Sequence, residues 1–320
     1  MNSLHVDDLS IGELTNEKYD LAIFSCGYEE RCIEVPSKIN NDNVSKVLVI
    51  SFDQHLSDDM RQSNSDFYEV EWPHSELLNI TQCNVSGVYS TMRSIIEKID
   101  KKIVKVLIDY TSMSRSWYAA ILNYLIKFSE KEVVIDLTYA NGIYEDESLN
   151  VELGELKVIP GCEGISLTKS QNAAIFTLGF DKYGPLRLYN ILNPNRCYGV
   201  MASPAASYQY EDLCLEKNKE FILHHLDGEK NLVKLPINSI SLCYEHMSQM
   251  IIPLQNDFNV SIIPFGPKPH ILTSILCSFN FPNVTCMYSE YIRKTTTKVQ
   301  ASGEIVISRV YSRYNKLFTG

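Results

Sequence analysis

The sequence predicts an α/β fold: two tandem Rossmann-like units with mostly parallel sheets and a short hairpin-like insertion between them. Three observations predict it. Runs of β-branched and aliphatic residues alternate with amphipathic helical stretches along most of the chain. An eight-residue pattern occurs twice, as Ala22-Ile23-Phe24-Ser25-Cys26-Gly27-Tyr28-Glu29 and Ala174-Ile175-Phe176-Thr177-Leu178-Gly179-Phe180-Asp181. The elements that follow each copy then come in the same order. The expected division is 1–150 for the first unit, 151–173 for an insertion or arm, and 174–320 for the second unit.

The elements justify this in order. Residues 1–18 read as a polar leader. YDLAIFSC (19–26) and KVLVISF (46–52) are buried strands. Residues 53–65 read as a polar connection, and DFYEVEW (66–72) alternates like a third strand. Residues 85–99 place Val88, Met92, Ile95, Ile96 and Ile99 at helical spacing. Residues 105–128, KVLIDYTSMSRSWYAAILNYLIKF, give a strand, a tight polar loop and a long helix. EVVIDLTY (132–139) is the fifth strand. Residues 141–168 carry several glycines between short strand-like pieces and form the arm. In the second unit, strands are expected at 174–181, 197–202, 231–237, 259–265 and 284–288. Helices are expected at 208–223, 239–254 and 271–279. Residues 304–310 read as an added edge strand.

The totals bound the function. The chain has 320 residues, 45% hydrophobic and 21% charged, enough for two packed domains. A net charge of -10 argues against an extended nucleic-acid surface but leaves room for a local anion pocket. The N-terminal stretch is acidic and no apolar run approaches transmembrane length, so a cytoplasmic protein with no membrane partner is expected. Nine cysteines without a CxxC pair read as reduced, buried thiols, with no metal site expected.

Ligands of open parallel sheets bind beyond the carboxyl ends of the strands. In the first unit those ends offer Ser25, Gly27, Tyr28, Glu29, Arg31, Asp109, Thr111, Ser112 and Arg115. In the second they offer Gly179, Asp181, Gly266 and Lys268. Gly27 and Gly179 suit turns where backbone must approach closely. Arg31, Arg115 and Lys268 are candidates to meet a phosphate, and Tyr28 to stack on a base. Ser112 or Ser114 suits an N-cap, which leaves orphan N–H groups and the helix dipole pointing at the loop.

GxxxxGK[ST], GxGxxG after a first strand, HExxH and GxSxG are all missing. No carboxylate pair stands out for acid–base work, so no catalytic residue and no cofactor are assigned.

Asp109-Tyr110-Thr111-Ser112-Met113-Ser114-Arg115, ending a strand and opening a helix, resembles the strand-four motif of CARF domains, the CRISPR-associated Rossmann-fold ligand sensors. Gly266-Pro267-Lys268-Pro269 is similar to its lysine-bearing version, with Pro264 in place of the acid. Ser25-Cys26-Gly27-Tyr28 is similar to that family's polar first-strand loop. Two such units in one chain are similar to SAVED domains, which look like fused CARF pairs. The resemblance implies binding of a cyclic oligonucleotide second messenger in prokaryotic antiviral defence, with a separate chain as effector. The expected function is therefore sensing of a small anionic nucleotide-type ligand rather than turnover. The rival is an enzyme acting on a nucleotide or nucleoside, with Asp109 or Glu29 as acid–base. A third reading is a non-catalytic structural subunit.

Overall fold

The computed structural model describes residues 4–54, 58–144, 152–165, 169–292 and 299–312. Contacts divide the chain into one unit of residues 1–146 with 295–320, and a second of residues 147–294.

The first unit is built on a seven-stranded sheet. Five parallel strands form its centre: β2 (Leu21–Cys26), β3 (Val47–Phe52), β4 (Glu76–Ile80), β5 (Ile103–Asp109) and β6 (Glu132–Tyr144). The last strand, β13 (Val299–Ser312), runs antiparallel beside β6, and β1 (Leu4–Asp8) runs antiparallel beside β13. Across the parallel part the order is β4-β3-β2-β5-β6, which is the 3-2-1-4-5 order of a doubly wound fold.

Both faces are covered because the inner parallel strands are apolar on both sides. Ala22, Phe24 and Val49 pack with Tyr68 of α2 (Asp59–Glu71), with Trp72 at its C-cap and with Leu14 of α1 (Ile11–Asn16). On the other face Phe52 meets Trp117 of α4 (Arg115–Asn123), ring centroids 4.4 Å apart. Beside α4 lies α3 (Val85–Glu97), which buries Val88, Met92, Ile95 and Ile96. A π-helical turn, Tyr124–Phe128, ends α4.

The second unit repeats this plan. Its strands are β8 (Gln171–Thr177), β9 (Arg196–Ala202), β10 (Leu232–Leu235), β11 (Phe258–Pro264) and β12 (Val284–Ile292). They run parallel in the order β10-β9-β8-β11-β12, again 3-2-1-4-5, and β7 (Glu152–Val158) adds an antiparallel edge beside β12. Phe176, Leu178, Met201 and Ile263 pack on one face with Leu188 of α5 (Gly184–Leu192), Cys214 of α6 (Tyr208–Lys217) and Phe221 of α7 (Lys219–His225). Helices α8 (Ile240–Asp257) and α9 (Lys268–Asn280) pack against each other and against β11. The two echoes fall on β2 and β8, the first parallel strand of each unit.

Four expectations are corrected. Residues 4–16 of the expected leader form β1 and α1, because the added strand β13 offers β1 an open edge. The expected connection and third strand at 53–72 are replaced by the single helix α2, capped by the Asp58 carboxylate on the N–H groups of Met60 and Arg61. The third strand is β4 instead. The arm at 151–173 is divided between β7 and β8, while residues 166–168 lie outside the described residues. Finally, β13 belongs to the first sheet, not to a second unit ending at 320. The Arg309 guanidinium pairs there with the buried Asp136 carboxylate at 2.6 Å and with Glu17 at 3.0 Å, and Tyr19 donates to Asp136 at 2.7 Å.

None of the nine cysteines forms a disulfide, and all but Cys83 are buried. Among the described residues no helix is long and apolar enough to cross a membrane.

Candidate functional site

In a 3-2-1-4-5 sheet the connections leave the first and fourth strands in opposite directions, which opens a crevice at their carboxyl ends. In the first unit those strands are β2 and β5, and they are neighbours. The loops that follow them meet. A side chain built on Gly27 would sit 3.1 Å from the Ser112 Cβ, tighter than ordinary contact, so the two loops approach closely here.

The strand-four loop is held from several sides. Asp109 is 1% exposed and accepts from the N–H of Thr111 at 3.1 Å and from its hydroxyl. The Thr111 hydroxyl in turn accepts from the Ala140 N–H at 2.9 Å, which ties the loop to β6. Ser114 is the N-cap of α4, its hydroxyl accepting from Trp117 N–H at 3.3 Å. The indole N–H of Trp117 donates to the Thr81 carbonyl at 3.2 Å. The Ser112 hydroxyl is buried with no hydrogen-bond partner. Arg115, the first residue of α4, is half-buried.

The strand-one loop separates the remaining candidates. Ser25 is buried within β2, and its carbonyl accepts from the Tyr68 hydroxyl at 3.4 Å. Tyr28 is half-exposed, lies against Phe52 with centroids 5.5 Å apart, and donates to the Gln54 carbonyl at 2.8 Å. Burial raises its phenol pKa, with the nearby Arg61 pulling it down. Arg31 is not placed as an open phosphate contact. It is 2% exposed, and its guanidinium donates to Glu29 at 2.7 Å, to the Tyr139 hydroxyl at 2.9 Å and to the Ala140 carbonyl at 3.1 Å. A salt-bridged, buried arginine here anchors the loop to β6, and Glu29 is its counter-ion.

The second unit has the same frame with different groups on it. Gly179 lies so close to β11's end that a side chain would meet the Phe265 carbonyl oxygen at 2.3 Å and Gly266 Cα at 3.4 Å. Gly266 donates to the Thr177 hydroxyl at 3.1 Å. The sheet registers pair Ile23 with Ile108 and Ile175 with Ile262, so Ile263, not Pro264, stands where Asp109 stands. Asp181 is occupied in a turn, accepting from the N–H groups of Tyr183 at 2.9 Å and Gly184 at 2.8 Å at the start of α5. Lys268 opens α9 and is half-buried. His270, two residues on, is fully buried, its Nε2 3.3 Å from the Pro236 carbonyl.

Sequence reasoning missed a group beside the strand-one loop. Asn64 of α2 donates to the carbonyls of Gly27 and Glu29, both at 3.0 Å, and fixes the loop's path. Asn218 does the same in the second unit, donating to Gly179 at 2.7 Å. One turn before Asn64, Arg61 is 4% exposed and donates to Cys26 Sγ at 3.0 Å and to the hydroxyls of Ser51 and Ser65. The signal was present: read as a helix capped by Asp58, 59–71 turns Arg61, Asn64 and Tyr68 onto one face.

No protein-family profile matches the chain, and no curated protein sequence matches it at a significant level. Among solved structures, it is similar to the cytoplasmic domain of a prokaryotic cation chloride cotransporter. The identity there is 10% and the TM-score 0.26, over 85% of this chain and 95% of that one. It is also similar to a phosphoethanolamine N-methyltransferase of Haemonchus contortus, again at 10% identity and a TM-score of 0.26, over 79% of this chain and 70% of that one. At this level neither likeness bears on function.

Proposed function

We propose that the chain is a sensor for a nucleotide-type anion, a cyclic oligonucleotide in the first instance, serving prokaryotic antiviral defence through a separate effector protein. The observation that carries this reading is the contact of Gly27 with Ser112 at the crevice between β2 and β5. It brings a buried hydroxyl without a partner and the start of α4 to the place where doubly wound sheets take their ligands. The resemblance of 109–115 to the CARF strand-four motif supports the ligand class.

The rival enzyme reading finds less support. Asp109 is buried and accepts twice from Thr111, and Glu29 is the counter-ion of Arg31. A general acid or base must reach the proton it moves, and both carboxylates are already committed to holding loops.

Binding of labelled cyclic di-, tri- and tetra-adenylates to the purified protein tests the reading, with the ligand recovered and checked for cleavage. Expected is saturable binding without turnover. Arg115→Ala should weaken it about tenfold to hundredfold, the worth of one charge-assisted contact. Cleaved ligand would favour the enzyme. Failure of every such nucleotide to bind would remove the sensor reading.

A further inference from the structure

A cavity of about 290 Å³ opens in the second unit at the amino end of β9, the end opposite the strand-end loops of Gly179 and Gly266. Three basic side chains line it: Arg196, the first residue of β9, and His224 and His225, the last two residues of α7. Tyr189 of α5 backs His225, their ring centroids 3.9 Å apart. Asn195 lines it too. Its amide oxygen accepts from the Asn172 N–H at 2.9 Å, which leaves its NH2 group without an acceptor among the described residues.

The charge of this cavity is not balanced. Asp227, the one carboxylate among its described lining residues, is paired with Lys230 at 2.9 Å. Glu229 nearby is paired with Lys234 at 3.3 Å. Arg196 is exposed and forms no ion pair among the described residues. Burial and the neighbouring His224 hold the His225 imidazole below its ordinary range. Near neutral pH Arg196 therefore carries the full charge, and each imidazole offers an N–H donor. The last turn of a helix favours a cation by itself, which would account for a histidine there. It does not account for Arg196, which comes from the sheet.

The first unit shows that the fold does not need this cluster. Val47 stands opposite Ala22 and Cys197 opposite Ala174, so Lys46 falls on Arg196. With Asn64 set on Asn218, α2 and α7 end together: Val70 falls on His224, Glu71 on His225 and the buried cap Trp72 on the buried cap Leu226. A base, an apolar residue and an acid thus hold the places that three basic residues hold in the second unit.

We propose that this cavity binds a small phosphate monoester, its oxyanion held by Arg196, with N–H groups of His224, His225 and Asn195 as further donors. A guanidinium suits a phosphate because its N–H groups match the spacing of the phosphate oxygens. A bare oxyanion would not fill the cavity, which leaves room for a small organic group. The site lies at the other end of the strands from the crevice where doubly wound sheets take their ligands, and it does not depend on the sensor reading.

The test is calorimetry on the full chain with inorganic phosphate and with glycerol phosphate, at matched ionic strength. Both should bind saturably. Arg196→Ala should weaken both at least about tenfold, and H224V/H225E, which copies the first unit, should weaken both as well. Arg196→Gln separates charge from packing: it keeps most of the stem and should lose binding as Arg196→Ala does. No binding by the natural protein, or unchanged affinity in either Arg196 variant, would overturn the proposal. Binding lost in Arg115→Ala but kept in Arg196→Ala would place the anion in the first unit's crevice and would equally overturn it. Exclusion of glycerol phosphate from a site that takes inorganic phosphate would overturn the ligand class.

Discussion

At the scale of single residues, burial decides what a polar side chain does here. His270 shows it through protonation. Burial pushes its imidazole down to about 4, the carbonyls of Pro236 and Leu235 offsetting this only in part. The unfolded chain, titrating near the ordinary value of about 6.5, therefore takes up the proton first as the pH falls. Stability from this group is complete above that value and is lost between about 6.5 and 4, by up to about 3 kcal/mol. The urea midpoint should fall from pH 7.5 to pH 5, and His270→Met should flatten that fall. The same fall in both proteins would show that other groups cause it. A histidine near a helix start suits a solvent-facing place, and nothing in the local sequence says that both sides of α9 are covered. Arg31 misleads in the same way. It stands at a strand end where a phosphate contact is expected, yet its partners, Tyr139 and Ala140, are more than a hundred residues away and invisible to local spacing. Gly27 and Ser112 were legible as strand-end residues because that depends only on element order, which the sequence pattern does carry.

At the scale of elements, long apolar runs were legible and mixed ones were not. β2, β3, β5, β8 and β11 each hold a run rich in aliphatic residues, and each lies within a residue or a few of its expected place. The segment 66–72 failed because Phe67, Tyr68, Val70 and Trp72 mimic an alternating strand. Tyr68 of α2 and its C-cap Trp72, four apart, enter the core beside Phe24, and Phe67 packs against it in part, while Val70 is exposed. What tips the balance toward helix is the Asp58 cap. Asp58→Ala should therefore destabilise the first unit by about 1 kcal/mol, read as a lower urea midpoint. A cap residue in a free loop would change nothing, so an unchanged midpoint would contradict the helix. β4 escaped notice for the opposite reason. It is an edge strand whose residues are mostly exposed, so neither face needs an apolar pattern.

At the scale of the whole molecule, the repeat was legible but the division was not. Residues 147–294 form one unit as a continuous piece, whereas the first unit closes only with β13 from the far end. A strand's partner across so long an interval leaves no trace in local sequence. Fragment 147–294 should therefore unfold cooperatively by itself. Fragment 1–146 should not, because it lacks the Arg309 that neutralises the buried Asp136. Cooperative unfolding of 1–146 alone would overturn this division. The same arrangement bears on how the protein is born. A ribosome finishes β6 long before it reaches β13, and at roughly 5–20 residues per second the delay is on the order of ten seconds or more. During that interval the edge of β6 stays unpaired in the nascent chain, and the second unit is complete first. The half that is synthesised earlier is the half that matures later, and a chaperone that shields open strand edges has its best opportunity there.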